Sequence, residues 1–206
     1  MVNLHDLASK GDVEGVRKFL QKSASKVDKT NRDKQTALHC AAKGGHVEVC
    51  QELIASVASV DAQDGQLRTP LRLAIENNKP QVAGVLCQAG ALTSIPNSAD
   101  GRTPLHLAAR DGFTECAEIL LQHGAVIDGI PDKWGHLPDE DCAVSEIRIM
   151  IETARKDRAA AKPRSYNPQA ATAPHPGACE GDHEATCPNQ NGASEYKGEH
   201  DVAILS

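Results

Sequence analysis

Three hexapeptides recur at a nearly fixed interval: Thr36-Ala37-Leu38-His39-Cys40-Ala41, Thr69-Pro70-Leu71-Arg72-Leu73-Ala74 and Thr103-Pro104-Leu105-His106-Leu107-Ala108. Their threonines stand 33 and 34 residues apart. A repeat of this period specifies a stack of small supersecondary units, each too small to bury its apolar face without a neighbour. A compact globule with one closed core is therefore excluded early. Aromatic residues make up 2% of the 206-residue chain, so small and branched aliphatics must fill the interior between short, closely packed helices.

The period extends beyond the hexapeptides. Gly45-His46-Val47-Glu48 and Gly112-Phe113-Thr114-Glu115 follow at one offset and open a second helix. Gly90-Ala91 and Gly124-Ala125 close that helix, and Val27-Asp28, Val60-Asp61 and Ile127-Asp128 mark the turn to the next unit. Leu4-His5-Asp6-Leu7-Ala8 carries the motif back by one period, and Gly135-His136-Leu137-Pro138 carries it forward by one. Apolar residues on the second helices recur at i, i+3, i+4 and i+7, as in Val13, Val16, Phe19 and Leu20, which identifies a packing face. Cys40, Cys50, Cys87 and Cys116 fall on such helix positions and read as small hydrophobes.

These motifs resemble the Thr-Pro-Leu-His-x-Ala signature of the ankyrin repeat. The resemblance implies an all-α solenoid of helix-turn-helix units with short hairpin loops. Five repeats are expected, at about 1–30, 31–63, 64–97, 98–131 and a degenerate cap at 132–158, followed by a disordered acidic tail at 159–206. It also implies that His5, His39 and His106 hydrogen-bond the backbone of an adjoining turn. Departures from the pattern are informative. Arg72 stands in the histidine position of the third unit, and Pro80 takes the place of Val47. Ser25 and Ala58 replace the closing glycines, which predicts less clean turns in the first two repeats. Asp139 replaces the inward leucine of the fifth unit.

No sequence feature points to catalysis or to a cofactor, and a non-enzymatic role is expected. Glu48, Gln81 and Glu115 begin second helices, where a carboxylate complements the helix dipole. Asp139, Glu140 and Asp141 read as a solvated helix start. His175, Cys179, His183 and Cys187 have the spacing of soft ligands, but prolines and glycines among them oppose a helix, so no metal site is expected. The formal charge of −6 gives no electrostatic reason for a nucleic-acid or anionic-membrane partner. The first residues lack the pattern of a signal peptide, and no apolar run is long enough to span a membrane. A monomeric cytoplasmic or nuclear protein is the expectation.

In this architecture the positions free of packing are the hairpin tips and the ends of the first helices, which line the concave face. They comprise Arg32, Asp33, Gln35 and Lys43; Gln66, Arg68, Glu76 and Asn77; Asp100, Arg102, Arg110 and Asp111; and Lys133, Trp134 and His136. The predicted function is a protein-binding scaffold or adaptor. An inhibitor or regulator of a partner enzyme and a substrate adaptor for a ubiquitin ligase are the alternatives. Trp134, the only tryptophan, falls on a tip and reads either as an interface anchor or as a cover for the last repeat. Gln35, Arg68, Arg102 and His136 share one tip position and predict a modestly basic row.

Overall fold

The computed structural model describes residues 3–97 and 99–161, and among these described residues the fold consists of nine α-helices and no strand. The first helices of successive units are α1 (Leu4–Lys10), α3 (Ala37–Gly44), α5 (Pro70–Glu76) and α7 (Pro104–Asp111). Each packs on the next, forming one layer. The second helices α2 (Val13–Ser23), α4 (Val47–Ala55), α6 (Pro80–Gln88), α8 (Thr114–Gln122) and α9 (Ser145–Ala161) form the other layer.

Local chemistry sets the ends of these helices. Thr36, Thr69 and Thr103 are extended at the N-cap, and proline follows directly in α5 and α7, where its missing N–H costs nothing. Thr69 Oγ1 accepts the Arg72 N–H at 3.3 Å. Gly11, Gly45 and Gly112 close α1, α3 and α7 in the left-handed region. Asn78 holds the same place in the third unit at φ 49°, which its short polar side chain tolerates.

The core runs continuously between units. Leu38, Leu71 and Leu105 are buried from the first layer, and Val49, Leu53, Leu86 and Leu120 from the second. Ala41, Ala42, Ala74, Ala108 and Ala109 are wholly buried where the helices approach closely. Cys50, Cys87 and Cys116 belong to this core, and burial pushes their thiols up to about 12, 11 and 11. They act as packing groups, not nucleophiles.

Two sequence expectations need correction. Val57, not Ala58, occupies the position of Gly90 and Gly124: all three have positive φ, at 63°, 86° and 79°. Ala58, Ala91 and Ala125 are the buried residues that follow. The second unit also turns with the same hydrogen bonds as later ones, Val57 N–H to Ile54 O (2.9 Å) and Ala58 N–H to Leu53 O (3.0 Å). Its departure from glycine is therefore strain on a β-branched residue, not a loosened turn. The first unit does differ, closing through a 3₁₀ turn at Ala24–Lys26.

The fifth unit lacks a first helix. Residues 138–141 make a single turn, in which Glu140 Oε2 accepts the Leu137 N–H at 2.8 Å. Asp139 does not sit in an apolar slot but binds Arg155 of α9 through two 3.1 Å contacts. The 17-residue α9 buries Ile147 and Ile151 and turns a largely polar surface outward. The tail expectations, including the His175, Cys179, His183 and Cys187 spacing, lie outside the described residues.

Candidate protein-interaction face

Each hairpin tip is built around an Asn or Asp whose side chain holds the turn from within. Asn31 Oδ1 accepts the N–H groups of Asp33 and Gln35, both at 2.9 Å. Asp64 Oδ1 does the same for Gln66 (2.8 Å) and Arg68 (3.0 Å), and Asp132 Oδ1 for Trp134 and His136 (2.9 Å each). The fourth unit's turn is one residue longer: the Asn97 N–H reaches Arg102 O at 3.0 Å, and Asp100 Oδ1 accepts the Arg102 N–H at 3.1 Å. Neighbouring tips are stitched by Gly65 N–H to Asp33 O (2.9 Å) and Lys133 N–H to Asp100 O (3.0 Å).

The recurrent histidines join each first helix to the next tip. His5 Nε2 lies 3.0 Å from Gln35 O, His39 Nε2 3.0 Å from Arg68 O, and His106 Nε2 3.1 Å from His136 O. The Thr36 and Thr103 N–H groups donate to Nδ1 of His39 and His106, leaving Nε2–H as the donor to the carbonyl. Burial holds both imidazoles below their ordinary value, as a neutral structural donor requires. Arg72 reproduces the link in the third unit by donating Nη1–H to Arg102 O at 2.9 Å. The histidines are thus structural, and the one substitution among them preserves the bond.

Arg68 of the second tip reaches Glu76 at the end of α5 at 3.5 Å. Arg32, Asp33, Lys43, Gln66, Asn77, Asp111, Lys133 and His136 are exposed. Asn77 also donates to Leu73 O at 2.8 Å, and Arg110 chelates Asp111 at 2.7 and 2.9 Å.

The predicted basic row is largely neutralised from within. Arg68 clamps Asp64 through Nε (3.0 Å) and Nη2 (2.8 Å), while Gln35 Nε2 approaches the same carboxylate at 3.4 Å. Glu76 lies between Arg68 and Arg72, the latter at 2.8 Å. Arg102 donates to Asp132 at 3.2 Å and to Asp141 at 3.1 Å, and its side chain is 13% exposed. His136 Nδ1 lies 3.8 Å from Asp132 Oδ2. Burial alone would raise the Asp64 carboxyl, but Arg68 and the turn N–H groups overcome it and hold the group down to about 2. Asp132 is lowered in the same way by the His136 and Trp134 N–H groups and Arg102.

Trp134 is 63% exposed and stands outside the buried core, so it does not cover the last repeat. The Arg102 guanidinium sits over its ring, 5.0 Å from the centroid. Leu67, which the sequence reading passed over, is a second apolar tip residue, 47% exposed and at φ 58°. Also missed were the buried carboxylates of Asp64 and Asp132. Their signal was an Asn or Asp five residues before the helix cap, at Asn31 and Asp64, repeated at Asp132 five residues before Leu137, which stands in the cap's place.

Residues 4–97 match the pattern of ankyrin repeats in three copies, and residues 100–133 match a further ankyrin repeat. The chain belongs to the ankyrin-repeat family. Ankyrin repeats are protein-interaction domains, which agrees with an exposed face braced from behind. The chain is also 35% identical over 99 residues to E3 ubiquitin-protein ligase KEG of Arabidopsis thaliana, a match that covers 43% of this chain and 6% of that ligase. Among the described residues, no helix of this ankyrin protein is long and apolar enough to cross a membrane, and no group of three His, Cys, Asp or Glu residues is placed to hold a metal ion.

Proposed function

We propose that this ankyrin protein is a non-enzymatic scaffold or adaptor that docks a partner protein on its concave face. The observation that carries this reading is Trp134, exposed on a tip whose backbone is fixed by Asp132 and whose ring rests on the immobilised Arg102. Rigid aromatic anchors lose little conformational freedom on binding and are enriched among residues that dominate interface energies. Arg68 and Arg102 act as braces behind this face, whereas Arg32, Lys43, Gln66, Asp111, Lys133 and Trp134 supply its contacts.

The likeness to KEG spans 6% of that ligase and carries no ligase chemistry to this chain. The reading is tested by affinity capture from cells with the wild type and a Trp134→Ala variant of unchanged melting temperature. Loss of the captured protein from the variant supports it, and identical capture overturns it.

A further inference from the structure

Counted from the first residue, the third position of each second helix holds Gly15, Val49, Val82, Cys116 or Ile147, and from the second unit onward that residue is buried. The fifth position lies outside the core and carries Arg17, Gln51, Gly84 and Glu118 in the first four units. In the last unit it is Ile149, which is 62% exposed. A terminal unit meets water on its outer side and is expected to be polar there. Ile149 takes no part in the buried core, so packing within the stack does not account for it.

Nor is Ile149 a lone apolar residue on a polar surface. With Leu121 of α8 and Met150 and Ala154 of α9 it lines a groove of about 480 Å³ between the two helices. The charged residues lining that groove, Glu118 and Asp157, are both acidic and both exposed. Glu118 accepts a hydrogen bond from the neutral Gln122 amide at 3.1 Å, and α8 contains no lysine or arginine. The arginines of α9 are engaged elsewhere: Arg148 with Asp139 O, Arg155 with Asp128 and Asp139, and Arg158 with Leu121 O and Ala125 O. Lys156, the remaining cation of α9, shares the flank of Ile149 seven residues on, with Glu152 one turn before it. Glu146, four residues before Met150, extends the acidic edge by a further turn.

We propose that this groove takes a basic amphipathic helix of a partner protein, with its apolar stripe on Leu121, Ile149 and Met150 and its lysines or arginines beside Glu118 and Asp157. Two adjacent helices offer side chains and no strand edge, so the occupant must satisfy its own backbone groups, as a helix does. The sign of the rim selects the partner. A second copy of this chain would set the same carboxylates against their twins in an isologous contact. Residues 162–206, with six acidic and three basic side chains, have the wrong sign as well. The groove belongs to the second-helix layer, apart from the tip and first-helix face proposed above, and the two readings stand or fall independently.

The test uses the full chain and three fluorescein-labelled peptides of 17 residues, the length of α9. The first, of leucine, alanine and lysine, has its leucines at i, i+3, i+4 and i+7 throughout. The second has the same composition with the leucines scattered, and the third replaces every lysine of the first by glutamate. Fluorescence anisotropy is expected to show the first binding at least about tenfold tighter than either control. Ile149→Gln, and the double reversal of Glu118→Lys with Asp157→Lys, should each weaken it by about tenfold at unchanged melting temperature. Trp134→Ala should leave it unchanged, which separates this groove from the tip face. Equal affinity for the first peptide and either control, or no binding of any, would overturn the proposal. So would an equal loss in Trp134→Ala, which would put the peptide on the tips. Self-association of the free chain in sedimentation equilibrium, abolished by Ile149→Gln, would give the groove to a second copy and overturn it too.

Discussion

Single side chains carry much of what distinguishes this stack from an idealised one. Arg72 replaces a histidine yet keeps its bond to the next tip and adds an ion pair with Glu76. Arg72→His should accordingly cost less than about 1 kcal/mol, while Arg72→Ala, which leaves the Arg102 carbonyl without its partner, should cost about 2–3 kcal/mol in urea unfolding. Val57 is 84% exposed and strained at φ 63°, so Val57→Gly should stabilise the fold by about 1 kcal/mol in the same assay. The pH response also belongs to individual groups. His39 and His106 have lowered proton affinity in the fold, chiefly through burial. Stability should be flat above about pH 6.5 and decline below it, because the unfolded histidines then take up protons that the folded ones do not. Asp64 adds a second contribution to stability, whole above about pH 4 and lost as pH falls towards about 2. Urea midpoints measured from pH 8 to about pH 2 check both, and His39→Gln should flatten the upper step.

Among the elements, α9 takes over a task that paired helices perform elsewhere. Arg158 donates to Ala125 O at 2.7 Å and Leu121 O at 3.2 Å, satisfying carbonyls in the last turn of α8 and just past its C-terminus. Arg155 ties Asp128 and Asp139 together. Arg158→Ala should lower stability by about 1–2 kcal/mol, with the loss appearing first as faster amide exchange in α8 and α9. The sequence was legible here to a definite depth. Threonine caps, proline at the first helical position and the 3.6-residue apolar period were sufficient to place α1 to α8, because these are short-range signals. The single turn at 138–141 was not, since Leu137-Pro138 still looks like a helix start and only the pairing of Asp139 with an arginine 16 residues away shows why none continues. The same limit hid the tip chemistry: Arg68 and Arg102 look like free cations until the fold brings buried carboxylates against them.

For the molecule as a whole, the period fixed the architecture because every unit repeats the same solution, and the family match over residues 4–133 agrees with it. The proposed docking surface was less legible, because charge patterns in one dimension do not show which charges meet. A stack of this kind distributes stability through nearest-neighbour interfaces. Ile151→Ala in α9 should therefore cost about 2–4 kcal/mol and broaden the unfolding transition as the last units separate from the rest. The buried arginine–aspartate pairs have one more consequence. Mobile ions screen exposed charges over about 8–10 Å at ordinary ionic strength but reach enclosed pairs poorly. Adding electrolyte should thus weaken the proposed docking at the tips long before it disturbs the masonry beneath them, so that release of a guest would not require the stack to come apart.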